Sequence, residues 1–146
     1  MSNSNRYTVI MRDPLPQLPG YSLRRAAHAT AAELGARLAT LGLRQVDASV
    51  LILIAENADV TASALGRQLD IQRANMVPLL KKLDDEGLIE RQPLDGKSQA
   101  LLLTAAGRER MEAALGIIHE FEDELLARIP ARHRDHLLPA LNALWR

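Results

Sequence analysis

Gln72, Arg73, Asn75 and Met76 stand together at the head of a helical pattern, and Lys81, Lys82 and Arg91 follow them. Arg carries paired donors that match guanine, and Asn and Gln match adenine in the same bidentate way, whereas Lys and Arg farther along suit phosphate oxygens. Ser63 lies one short helix upstream, and Asp95, Lys97 and Ser98 lie at a charged turn downstream. The chemistry these residues support is recognition of a nucleic-acid duplex, with Gln72, Arg73, Asn75 and Met76 reaching bases. Lys81, Lys82 and Arg91 would meet phosphate, and Lys97 would approach the minor groove.

The elements that must hold these residues are a helix joined directly to a two-stranded hairpin. Across residues 72–104, QRANMVPLLKKLDDEGLIERQPLDGKSQALLLT, apolar Met76, Leu79, Leu80 and Leu83 recur at helical spacing. Gly87 follows where a left-handed residue closes a helix. Residues 88–91 and 99–103 read as short strands, with Asp95-Gly96 as the turn between them. Upstream, residues 62–69 read as a shorter helix that Thr61 can cap, and Asp70-Ile71-Gln72 is a tight connection. Such a pair of helices leads with the N-terminal residues of the second one in the major groove. Pro78 falls inside that second helix, where it removes the hydrogen bond to the Ala74 carbonyl and is expected to bend the chain.

In order and spacing, these pieces resemble the winged helix-turn-helix regulators of the multiple antibiotic resistance (MarR) type. The resemblance covers most of the chain. It runs from a long first helix at 21–41 through Leu65-Gly66-Arg67-Gln68-Leu69 and Leu83-Asp84-Asp85-Glu86-Gly87-Leu88-Ile89-Glu90-Arg91 to the wing and Leu103-Thr104-Ala105-Ala106-Gly107. It implies a homodimer paired through N- and C-terminal helices and reading a pseudo-palindromic operator. It also implies, as in many relatives, a small anionic effector, an aromatic acid or its coenzyme A thioester, held between the dimer helices and the winged region. The family's wing usually reads Asp-x-Arg, and here it is Asp95-Gly96-Lys97. A Lys keeps the charge but lacks the planar fork suited to a narrow minor groove, so wing contacts are expected to be weaker or confined to phosphate.

Composition is consistent with a mainly α fold carrying a small wing. The chain has 146 residues, is 47% hydrophobic and has few aromatic residues (Tyr7, Tyr21, Phe121 and Trp145), which favours helix-on-helix packing. The absence of cysteine excludes disulfides, thiolate metal sites and thiol-based peroxide sensing. Without a signal-peptide core or an apolar run of about 18 residues, a soluble, cytoplasmic chain with no membrane partner is expected. Eighteen basic residues balance 18 acidic ones, which is unusual for a protein that meets DNA. Placement matters more than the sum, because Asp84, Asp85 and Glu86 lie at the far end of the recognition helix. The neutral balance keeps open a second reading, a winged-helix module that binds protein without ligand control.

The flanking segments read as an assembly layer. Residues 1–20, polar at 1–6 and carrying Pro14, Pro16 and Pro19, are expected to form an extended arm. Residues 21–44 and 104–146 are expected to supply dimerisation helices, and 45–103 the DNA-binding region, intertwined as one domain. Leu23, Ala27, Leu34, Leu38 and Leu41 stripe the first helix, which Gly42 ends. Val50 to Ala55 is nearly continuous apolar sequence and marks a buried central helix. Met111, Leu115, Ile118, Leu125 and Ile129 stripe a long helix that Thr104 can cap, and Pro139 is expected to kink or restart the last one.

Other chemistry finds little support. His133 and His136 lack a third ligand, so no metal or cofactor is expected. Glu120, Glu122, Asp123 and Glu124 point in different directions on a helix and read as an exposed face rather than acid-base machinery, and no enzyme is expected. Arg24, Arg25 and His28 sit beside the first helix's stripe, as dimer salt bridges or as a pocket for an anionic ligand.

Overall fold

In the computed structural model, which describes residues 11–146, the chain runs as a 3-10 turn (Leu15–Gln17) followed by α1 (Pro19–Ala39), α2 (Gln45–Glu56), α3 (Ala62–Gln68) and α4 (Arg73–Asp85). Strands β1 (Ile89–Asp95) and β2 (Ser98–Leu103) come next, then α5 (Ala105–Arg128) and α6 (Ala131–Asn142). The architecture is mainly helical with one antiparallel two-stranded sheet, as expected for a winged helix-turn-helix. The polar residues 1–6 lie outside the described residues. The arm is not extended throughout, because Asp13 accepts a hydrogen bond from the Leu15 amide and a 3-10 turn forms. Pro19 then opens α1, since a proline suits a first helical turn whose amides lack partners anyway.

The chain divides into two compact units within α1, between Glu33 and Leu34. In the first unit Ser22 donates to the Pro16 carbonyl, and the Arg24 guanidinium lies 5.6 Å from the Tyr21 ring centre.

The second unit is built around α2. Val50, Leu51 and Ile54 are buried with Leu38 and Leu43 in one core, joined by Leu65 of α3, the stripe Met76, Leu79, Leu80 and Leu83 of α4, and Met111 and Ala114 of α5. Leu88, Ile89 and Leu101 extend that core under the root of the wing. Removing a side chain such as the fully buried Leu83 would cost about 2–5 kcal/mol. Ile89 pairs with Leu103 and Asp95 with Ser98, and an irregularity between Pro93 and Asp95 breaks the register where proline has no amide to donate. β1 thus reaches Asp95, well beyond the expected end at 91. Leu101 also donates to the Val60 carbonyl (2.8 Å), which ties β2 to the segment ahead of α3.

Of the kink or restart expected at Pro139 there is no restart, because α6 runs through it as a single helix. One expectation near the C-terminus is corrected. The acidic group on α5 is not uniformly a solvated face, because Glu124 is half-buried and accepts two hydrogen bonds from the Arg37 guanidinium. Among the described residues no helix is long and apolar enough to cross a membrane.

Candidate nucleic-acid interface

The aim of the second helix of the pair is set by its turn. Thr61 caps α3 by accepting from the Ala64 amide at 3.3 Å. At the other end Ile71 donates to Gly66 (2.8 Å) and Asp70 to Arg67 (3.4 Å), a pairing that demands a left-handed residue between them. That residue is Asp70, at φ 51°, a conformation that short polar side chains tolerate better than most. Gly66 permits the close return, since a Cβ there would stand 2.9 Å from the Ile71 oxygen. α4 then begins at Arg73, and Gln72 ahead of it makes no side-chain cap, which leaves the Arg73 and Ala74 amides and the positive end of the helix dipole available to an anion. It closes as expected: Gly87 adopts φ 68°, Leu88 donates to Leu83 and Gly87 to Asp84.

Burial fixes the face that α4 shows to solvent. Met76, Leu79, Leu80 and Leu83 point inward, whereas Gln72, Arg73, Ala74, Asn75, Val77, Pro78 and Lys81 are exposed. Arg73, Val77 and Lys81 line a cleft of about 810 Å³ together with Ser63 and Arg67 of α3 and Arg91 of the wing. On the opposite flank Asn75, Pro78 and Lys82 face Arg44 and Asp70.

The charged groups are not equally available. Lys81 holds Asp85 at 2.7 Å and Arg91 holds Asp84 at 2.9 Å, both at the surface, where such pairs are worth little and can be exchanged for phosphate. Lys82 is different, because its ammonium sits 2.8 Å from Asp47, a fully buried carboxylate on α2, and also reaches the Gly42 carbonyl. Asp47 further accepts from the Arg44 backbone amide, Nε and Nη2 at 2.8–3.0 Å. Burial alone would raise this carboxyl, but the Arg44 and Lys82 hydrogen bonds and the Lys82 charge outweigh it and lower it to about 2.

Thr104 joins the end of α4 to the start of α5. Its hydroxyl donates to the Gly87 carbonyl at 2.6 Å and accepts from the Gly107 amide at 3.0 Å, while its own amide donates to Leu88. Gly107 packs so closely that a Cβ there would lie 1.8 Å from the Leu88 oxygen.

Of the residues singled out in the sequence, Ser63, Gln72, Arg73, Lys81 and Arg91 line the cleft between α3, α4 and the base of the wing, Asn75 is exposed on the opposite flank of α4, and Asp95, Lys97 and Ser98 are exposed at the wing's tip. Met76 does not belong with them. It is 2% exposed and fills the core, as its place in the apolar stripe with Leu79, Leu80 and Leu83 indicates. Lys82 is likewise a structural cation that holds α4 to α2. Sequence reasoning misses Arg67, Ala74, Val77 and Pro78, although helical spacing sets Ala74, Pro78 and Lys81 opposite the buried stripe. Arg24, Arg25 and His28 are exposed on α1.

Residues 41–98 match the MarR family. Over 105 residues the chain is 30% identical to an HTH-type transcriptional regulator of Bacillus subtilis, a match covering 70% of this chain and 64% of that protein. The solved structure of the transcriptional repressor CouR bound to p-coumaroyl-CoA is similar with a TM-score of 0.82 at 29% identity, covering 94% of this chain and 98% of that one. CouR bound to a 23-mer DNA duplex gives 0.81 at 30%, covering 90% and 95%. A Mycobacterium tuberculosis MarR family protein in complex with salicylic acid gives 0.69 at 26%, covering 87% and 96%.

Proposed function

Because the chain belongs to the MarR family of winged helix-turn-helix transcriptional regulators, we propose that it is a homodimeric repressor that binds a pseudo-palindromic operator and leaves it when a small anionic ligand binds. The observation that supports DNA binding is the excess of cations at one exposed cleft: Arg67, Arg73, Lys81 and Arg91 line it between α3, α4 and the wing against only Asp70 and Asp84, in a chain whose 18 basic and 18 acidic residues balance overall. Arg73 stands at the uncapped tip of α4 with Gln72 and Asn75, the residues suited to base edges. Lys97, exposed at the wing tip, is the residue proposed to reach the backbone or the minor groove.

Dimerisation is supported by apolar surface that a lone chain leaves wet. Leu138, Leu144 and Trp145 are each at least 65% exposed on or just beyond α6, and Leu15, Leu18 and Leu23 are exposed in the first unit. In this reading residues 21–44 and 104–146 form the dimer layer and 45–103 the DNA-binding region.

The relatives bound to p-coumaroyl-CoA and to salicylic acid support an aromatic acid or its coenzyme A thioester as the effector class. Arg24, Arg25 and His28 are the groups proposed to hold its anionic end. A ligand releases DNA only through its unequal affinity for the two states, typically 1–3 kcal/mol.

A mobility shift at low salt, with promoter fragments from beside the gene, tests the DNA reading, and failure to bind any of them favours a protein-binding module. Thermal shift followed by DNA release across aromatic acids and coenzyme A esters tests the effector. Arg24→Ala or Arg25→Ala should leave DNA affinity intact and abolish release. A panel that changes neither melting nor the DNA complex would return these residues to dimer salt bridges.

A further inference from the structure

The centre of the face that α4 offers to DNA is carbon. Behind Gln72, Arg73 and Asn75 the outward positions are Ala74, Val77 and Pro78, and Val77 is 59% exposed. Lys81, the next outward residue, directs its ammonium toward Asp85 at 2.7 and 2.9 Å, in the direction away from the helix tip. Val77 and Pro78 are both poor helix formers, and neither is buried within the chain. The helix itself therefore gives no reason for them.

Their surroundings do. Val77 lines the cleft with Arg73 of the tip and with Arg67, Lys81 and Arg91, so cations suited to phosphates flank an apolar patch one helical turn behind the tip. An element held in the major groove by such cations meets base edges there. Those edges are polar apart from the C5 methyl group of thymine, the main apolar group the groove presents.

We propose that Val77, with Pro78 beside it, reads thymine through its C5 methyl group, so that each half-site carries an A·T pair at the step facing the middle of α4. The proposal rests on α4 being the recognition helix, as the proposed function holds, and adds a determinant beyond Arg73 and Asn75.

The test begins with duplexes selected by the intact protein from a random pool. Each thymine of the selected half-site is then replaced by deoxyuridine, symmetrically in both halves, which removes one methyl group and no hydrogen bond. We expect one thymine position to weaken binding about fourfold per half-site, the worth of one buried methyl group, and thus about fifteenfold for both. In Val77→Ala, which suits a helix better than Val, that position should lose its sensitivity to uracil while circular dichroism stays unchanged. A uracil scan that is flat, or one that is the same in Val77→Ala, overturns the assignment and leaves DNA binding standing. If no duplex is selected at all, the regulator reading fails and this one falls with it.

Discussion

Asp47→Asn is the most direct probe of how α4 is held to the rest of the winged unit. The amide keeps the shape of the side chain but removes the charge that faces Arg44 and Lys82. In the native protein this carboxyl titrates at about 2, against an ordinary 3.8. At 1.36 kcal/mol for each pH unit, the fold favours the carboxylate over its neutral form by about 2–3 kcal/mol. The cost is not the larger one of a stranded buried charge, because Lys82 is 34% and Arg44 61% exposed and both can rehydrate. At pH 7, Asp47→Asn should therefore lose about 2–3 kcal/mol of unfolding free energy. A carboxyl lowered on folding stabilises fully above its unfolded value and loses that stabilisation as pH falls toward its folded one. The wild-type advantage should thus persist down to about pH 4 and be roughly halved by pH 3. Urea unfolding followed by far-ultraviolet circular dichroism at pH 7, 4 and 3 measures this, at one fixed protomer concentration because association contributes to stability. Equal stability at pH 7, or a difference that stays constant between pH 7 and pH 3, would refute the reasoning.

Arg73→Ala should weaken operator binding by about 1–3 kcal/mol and relax base preference at one position, as competition binding would report; an equal loss on random DNA would reassign Arg73 to phosphate. Lys97→Ala should reduce the salt dependence of DNA binding by about one unit, whereas Lys82→Ala should lower the melting temperature and leave that slope unchanged, a contrast read from affinities at several salt concentrations. Gly107→Ala should cost about 3 kcal/mol or more, because the new methyl group collides with the Leu88 carbonyl rather than with a movable side chain; a melting temperature equal to wild type would contradict this packing.

The helices, their caps and the order of the elements are legible in the sequence because each rests on local physics. The α4 stripe has the helical period, Thr61 and Thr104 are good caps, and Gly87 suits a left-handed close. The length of β1 is not, since IERQPLD is exposed beyond Ile89 and carries no alternation to read. Lys82 misleads for a different reason. Its partner Asp47 lies 35 positions away, and pairing at that distance depends on how α2 and α4 pack, which no local pattern records. Met76 can be placed correctly from its spacing alone; its position near the helix tip draws the eye away from its place in the apolar stripe. The left-handed Asp70 is similar to Lys82 in origin, because the return of Ile71 to Gly66 demands that conformation whatever residue occupies the position.

The bonds around Thr104 make the start of α5 and the end of α4 move as one piece, so the joint acts as a pivot with a long arm. α4 has 13 residues and therefore extends about 20 Å from that pivot to Arg73. A rotation of only about 10° at the joint would carry the Arg73 end through about 3.5 Å, close to the 3.4 Å rise of one base-pair step. A small tilt of this joined piece would thereby be geared into a full step of reading register.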